Sequence, residues 1–316
     1  MNSRFFKTEA ESSKRRLRLW HSPYLLLTCT ALFWAGNSIV ARGAREFVPP
    51  VALSFWRWTL ALLILLPIAW PHLRRDLPTL RASWRTVVVL GALGIGAFNT
   101  LLYTGLQTTT AVNGLLLQSL QPGLILLLGI LIFSERARLL QGIGILLSIA
   151  GALVIISKGQ MSALLALRMN TGDLVISGAV VIWSLYSVLL RKRPAVHPLS
   201  FLATTLAVGV VVVLPFYIAE IASGRLIEDR SESWMAIAYV CVFPSLIAYL
   251  CYNRGVELLG SAPAGLYLNI MPVMGALLAA IFLGEAIRPF HFAGVTLIAA
   301  GIACAAMRRA GGRARP

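Results

Sequence analysis

One arginine, Arg57, stands inside a long apolar run with no Lys, Asp, Glu or second Arg close to it in sequence. An ionised side chain in such surroundings is costly unless it faces water, a partner or a ligand. The planar guanidinium carries paired N–H donors that match a carboxylate in a bidentate pair. It could instead snorkel to headgroups or tie helices together through backbone carbonyls. Taking about 1.5 Å per residue from Val51, Arg57 lies about 10 Å along its helix.

Uncharged hydrogen-bonding and aromatic residues punctuate the other apolar runs: Trp34 and Asn37; Asn99 and Tyr103; Asn113, Gln118 and Gln121; Trp183 and Tyr186; Tyr249; Tyr267 and Asn269. Tyr252 and Asn253 stand nearer a run's end. Gln118 and Gln121 are three apart, which puts both on one face of a helix. Together such groups make a cavity with uncharged hydrogen bonding and aromatic walls, suited to an amphipathic small-molecule substrate. Singly, each could be an interhelical hydrogen bond, or an interface anchor in the case of Trp and Tyr. Pro122 and Pro272 interrupt two of the runs. Each removes a backbone hydrogen bond and frees a carbonyl for water, a side chain or a substrate. Paired breaks of this kind mark a helix-break or gating position, although a packing kink would look the same.

The elements that must hold these residues are set by composition. Of 316 residues, 58% are hydrophobic and 13% charged, against about 25% charged in soluble domains. Single soluble cores stop growing near this chain length, so a soluble fold could not hide so much apolar surface. Lipid as solvent removes the difficulty. Ten stretches approach the roughly 20 residues that a membrane-crossing helix needs: 24–44, 51–70, 86–104, 111–133, 139–157, 173–190, 199–221, 234–252, 263–283 and 291–308. The expected class is an all-α integral membrane protein of ten transmembrane helices.

The net charge of +16 is confined to short segments between these runs and to two basic tails, residues 1–23 and 310–316. Alternate segments divide the 28 Lys and Arg into sets of twenty and seven, with Arg57 left over. The richer set includes both tails, which places both termini in the cytoplasm and the chain in the cytoplasmic (inner) membrane. Basic residues in this arrangement are topology signals, and nucleic acid is not an expected partner.

Enzyme chemistry has little to build on. His21, His72, His197 and His291 fall in tails, loops or at a span end, and the sequence contains neither HExxH nor a GxxxxGK[ST] loop. Cys29, Cys241, Cys251 and Cys304 lie inside apolar runs without a CxxC. No catalytic residue, metal or cofactor is expected.

The two halves repeat at an offset near 150. Trp84 matches Trp234, Gly105 matches Gly255, Pro122 matches Pro272, Glu135 matches Glu285, and Gly144 and Gly151 match Gly294 and Gly301. Earlier the offset is 148 or 149, as for Trp34 with Trp183 and Pro50 with Pro198. Each repeat, 24–158 and 173–309, holds five spans. An odd number makes the second repeat enter from the opposite side, giving two inverted five-helix repeats, an arrangement typical of secondary transporters.

Phe33-Trp34-Ala35-Gly36-Asn37-Ser38 resembles the opening motif of the EamA-like branch of the drug/metabolite transporter superfamily, and Phe55-Trp56-Arg57 resembles its aromatic-arginine signature. The stretches from Pro122 to Glu135 and from Pro272 to Glu285 resemble its paired proline-to-glutamate helices. The likeness covers roughly residues 24–309 with the motifs in order. It implies a cavity between the halves, small organic substrates, and most often export of amino acids or related metabolites. A passive facilitator, an exchanger or an importer would share these features. The second half departs by carrying Trp183-Ser184-Leu185-Tyr186 where the first has Trp34-Ala35-Gly36-Asn37, and has no arginine matching Arg57.

Three smaller expectations complete the reading. Glu135 and Glu285, three residues before Arg138 and Arg288, read as loop ion pairs that close tight connections. Gly144, Gly151, Gly294 and Gly301 recur at seven residues, so their helices read as packing elements or as the face of a homodimer. With no Asp or Glu in the middle of any span, proton coupling has no obvious relay there.

Overall fold

Apolar segments of this length have one stable backbone arrangement in lipid, because every N–H and C=O must find its partner within the segment. The structure, a computed structural model, describes residues 20–109, 111–135, 138–160, 162, 170–283 and 286–306. Among these, nine helices are long and apolar enough to cross a membrane, and a tenth apolar helix, Pro289–Ala306, follows them. In chain order the first eight spans are Pro23–Ala44, Pro50–Ala82, Trp84–Gly105, Asn113–Phe133, Leu139–Ile156, Thr171–Lys192, Pro198–Ala222 and Ser231–Leu259. The ninth is Ser261–Phe282.

The second helix is the main departure from expectation. It runs 33 residues to Ala82 instead of stopping near residue 70, so Arg74, Arg75 and Arg81 stand on helix and not on a loop. Pro67, Pro71 and Pro78 lie inside it, and all three face outward. Proline holds φ near the helical value and removes one N–H, which a helix tolerates where the freed carbonyl is exposed.

The duplication is visible in the irregularities of the backbone as well as in residue types. The third helix winds as a π-helix over Ala92–Ala97 and the eighth over Cys241–Ile247, at equivalent positions. The fourth span breaks at Leu120, between Ala111–Ser119 and Gln121–Phe133. The ninth span passes through a 3₁₀ turn, Tyr267–Ile270, between Ser261–Leu266 and Met271–Leu283. Pro122 and Pro272 are the second residues of the helices that resume, where a missing N–H costs little. The expected mid-span kinks are therefore breaks with proline-started helices beyond them.

Packing follows the same symmetry. The first helix packs on the eighth and the third on the sixth, and exchanging the halves converts one pair into the other. The second packs on the seventh, the fourth on the ninth and the fifth on the tenth. Bulky apolar side chains such as Leu131, Leu146, Val211 and Phe282 point outward, where lipid would meet them, while Trp58, Trp183, Tyr186, Tyr249 and Tyr252 fill the centre.

The glycines of the fifth and tenth helices are used against one another. A Cβ on Gly144 would lie 2.5 Å from the carbonyl oxygen of Gly301, and one on Gly151 would lie 2.6 Å from that of Gly294. Backbone cannot rotate out of the way as a side chain can. Gly151→Val is expected to lower the melting temperature in detergent by several degrees, a loss of about 1–3 kcal/mol. Gly178→Ala, where a Cβ would meet nothing within 4 Å, should leave it unchanged; equal behaviour of the two variants would contradict this packing.

Candidate functional site

Arg57 does not snorkel. Its side chain is 1% exposed and its guanidinium lies over the Trp58 ring, 4.4 Å from the centroid. Nε donates to Ser245 Oγ at 2.8 Å. Nη1 donates to Asn37 Oδ1 at 3.2 Å, to Asn99 Oδ1 at 3.3 Å and to the Tyr103 hydroxyl. Tyr103 in turn donates to Asn37 Oδ1 at 3.0 Å, and Asn99 Nδ2 to the Tyr249 hydroxyl at 3.4 Å. These partners come from the first, third and eighth helices. All are neutral, and among the described residues no carboxylate pairs with Arg57. The positive charge is solvated by dipoles alone.

The two π segments build the surroundings. A π turn shifts the hydrogen-bond register and turns backbone groups toward neighbouring helices. Gly94 and Pro244 are equivalent positions in the two repeats. The Gly94 carbonyl accepts from the Tyr249 hydroxyl at 2.6 Å, and the Pro244 carbonyl accepts from Trp34 Nε1 at 3.1 Å. Each half thus offers one π-segment carbonyl to an aromatic side chain of the other. Ser245, next in line, donates to the Val240 carbonyl at 2.6 Å while accepting from Arg57.

A cavity of about 30 Å³ lies at this centre, lined by Trp34, Asn37, Arg57, Asn99, Gln118, Gln121, Trp183 and Tyr249 together with Ser38, Phe98, Leu102 and Met271. That space holds about one water molecule, too little for a substrate in this arrangement of the helices. Gln118 and Gln121 share it although the Leu120 break falls between them.

A second cavity, about 870 Å³, opens at the helix ends that carry Glu135, Arg191, Arg193 and Glu257. An aromatic wall stands between the two. Trp34 meets Trp183, Tyr249 and Tyr252 with ring centroids 5.0, 5.7 and 5.2 Å apart. Tyr186 donates to Asn253 Oδ1 at 2.8 Å, and Asn253 borders the larger cavity.

Tyr103 meets Arg57 without lining the cavity, and three further expected site residues touch neither. Tyr186 stands within the aromatic wall and does not line the central cavity. Tyr267 borders the larger cavity, its ring 5.8 Å from Tyr24. Asn269 Nδ2 donates to Ser148 Oγ at 3.1 Å and ties the ninth helix to the fifth. Tyr267 and Asn269 both lie in the 3₁₀ turn Tyr267–Ile270, which rotates this stretch relative to a continuous helix. Glu135 pairs with Arg191 of the second half, replacing the expected loop contact with Arg138. Glu285 lies outside the described residues.

The end away from the large cavity is held by a buried carboxylate that the sequence pattern did not single out. Asp173 is 1% exposed. It accepts from Thr109 Oγ1 at 2.5 Å, from Asn113 Nδ2 at 3.0 and 3.1 Å, and from the Asn170 backbone N–H at 2.8 Å. Thr109 and Asn113 belong to the first half, Asn170 and Asp173 to the second. Glu220, also buried, accepts from the N–H groups of Val51 and Ala52 at 3.2 and 2.6 Å, capping the helix that carries Arg57. Both carboxylates sit at helix termini, so a search for charges in the middle of spans passes over them. A buried Asp opening a helix behind Asn170, as a capping box, was the readable signal.

The model of the EamA-like transporter family matches twice, over residues 21–157 and 170–307. An "Uncharacterized transporter YyaM" of Bacillus subtilis is 29% identical over 280 residues, which cover 88% of this chain and 92% of that protein. A "Probable terminal-alkyne amino-acid exporter" of Streptantibioticus cattleyicolor is 25% identical over 282 residues, covering 87% and 90%. A solved crystal structure superposes with a TM-score of 0.74 at 22% identity, covering 92% of this chain and 99% of that one, which shows a shared fold. With two matched repeats, ten apolar helices paired across a pseudo-twofold and a small polar cavity between the halves, the chain belongs to the EamA-like transporter family.

Proposed function

We propose that this membrane transporter is a secondary carrier of small metabolites bearing a carboxylate, amino acids among them, and that it exports them across the cytoplasmic membrane. The observation that carries the reading is Arg57, a buried cation without a carboxylate partner among the described residues, lining a cavity to which both halves contribute. A substrate carboxylate supplies the missing counter-charge in a bidentate pair. The amino-acid exporter named among the relatives handles a molecule of that chemistry.

The two cavities fit one stage of alternating access. By the distribution of Lys and Arg, the end bearing Arg191, Lys192 and Arg193 faces the cytoplasm. The large cavity is then the inward vestibule, the aromatic wall its inner barrier, and the Asp173 cluster the closed outer end. Loading from the cytoplasm suits export. Exchange or facilitated movement is a second reading, favoured because the buried carboxylates Asp173 and Glu220 lie at helix ends and line neither cavity.

The test is efflux from liposomes holding the purified protein and a mixture of amino acids and other metabolites, with and without a pH gradient. Efflux confined to carboxylates and accelerated by the gradient supports a coupled exporter. Indifference to the gradient supports the exchanger. Retention of every carboxylate by folded protein would sink the proposal.

A further inference from the structure

Three hydrogen-bond donors on residues lining the central cavity have nothing to donate to, Trp183 Nε1 among them. The hydrogen bonds of Arg57 leave from Nε and Nη1, and Nη2 makes none to any described residue. Gln121, 3% exposed, buries its Nε2 without a partner. Buried polar groups are nearly always paired, so an orphan facing a cavity marks a place where something else binds. Gln121 also begins the helix Gln121–Phe133, whose N-terminal dipole favours negative charge. Beside the uncharged polar residues Asn37, Ser38, Asn99, Gln118 and Tyr249, the lining is aromatic or apolar: Trp34, Phe98, Leu102, Trp183 and Met271.

We propose that Gln121 is a specificity-determining residue, its amide N–H acting with Arg57 Nη2 to hold the carboxylate of a substrate whose body is apolar. This deepens the reading above and rests on it. Two such donors on one cavity suit a group that only accepts. A carboxylate satisfies them. A primary amide of the same shape turns an NH₂ toward one of them, and an ester brings weaker acceptors and extra bulk. The apolar walls accommodate a hydrocarbon side chain and leave a charge on that side chain without a partner, whereas an α-ammonium can donate to the uncharged polar lining, Gln118 among it. Leucine, phenylalanine and phenylacetate should therefore be better substrates than glutamate or lysine.

The experiment measures efflux of phenylalanine, phenylalaninamide, phenylacetate and glutamate from liposomes bearing wild type, Gln121→Leu, Gln121→Glu or Arg57→Ala. Folding is checked by gel filtration and thermal melting. For Gln121→Leu, KM for phenylalanine and phenylacetate should rise roughly 10-fold, with a matching loss of preference over phenylalaninamide. Gln121→Glu places a carboxylate where the substrate's belongs and should cut carboxylate efflux roughly 100-fold, while pairing with Arg57 keeps the protein folded. Should Gln121→Leu fail to fold, Gln121→Glu decides. If either folded variant kept wild-type KM and selectivity while Arg57→Ala was inactive, the role of Gln121 would be overturned and the site reading would stand. If wild type moved none of the four compounds, both would fall.

Discussion

Arg57→Ala is expected to lower carboxylate transport at least about 100-fold in kcat/KM, the scale of losing one partner from a buried, hydrogen-bonded charge pair. The variant also takes the donor from Ser245 Oγ, Asn99 Oδ1 and the Tyr103 hydroxyl, while Asn37 Oδ1 keeps only Tyr103. Stability should fall as well, by a few kcal/mol. Arg57→Lys separates the two effects. An ammonium keeps the charge but cannot reach Ser245 on one side and Asn37 and Asn99 on the other from one planar fork. It should restore part of the stability and leave carboxylate transport at least about 10-fold down. If Arg57→Lys transported normally, charge alone would suffice and the bidentate reading would be wrong. If Arg57→Ala transported normally, Arg57 would be a structural tie between helices.

Asp173→Ala should tip the molecule toward its other state. The repeat relation makes the argument. Thr109 and Asn113, which bond to Asp173, correspond at an offset of 150 to Leu259 and Pro263, and these border the open vestibule beside Tyr24. The same joint between halves is fastened by a buried carboxylate at one end and open at the other. Removing the carboxylate takes away the acceptor of Thr109, Asn113 and the Asn170 N–H. A loss of about 1.4 kcal/mol from the closed end is enough to change the ratio of the two states tenfold. Cys304 reports the outcome, because it borders the large cavity. In a background with Cys29 replaced by Ser, maleimide labelling of Cys304 from the vestibule side should slow in Asp173→Ala, by about twofold for an inward state favoured about tenfold in wild type. Unchanged labelling and unchanged transport would remove Asp173 from the gating account.

The spans and the duplication were legible in the sequence because their physical causes act locally. Lipid demands long apolar runs, and Pro122 with Pro272 or Trp34 with Trp183 keep a constant frame. Arg57 was legible because an isolated charge in an apolar run is conspicuous whatever its neighbours. What the chain concealed depends on helix phase and on contacts between halves. The π segments have no shared residue signature, since Gly94 in one half is Pro244 in the other. Ser245 gains its importance from the turn that aims it at Arg57. Tyr267 and Asn269 were grouped with the central cavity by residue type alone, and in the structure they lie in a 3₁₀ turn beside the larger cavity and the fifth helix. Glu135 finds Arg191, 56 positions along the chain, which no local pattern indicates.

On this proposal Arg57 recognises a substrate carboxylate. The most direct measurement compares efflux of phenylalanine with that of phenylalaninamide from the same liposomes, for wild type and Arg57→Ala side by side. The account predicts that wild type moves the acid far faster than the amide and that the variant loses the acid selectively. Equal movement of both compounds by wild type, or an unaltered preference in a folded variant, would contradict it.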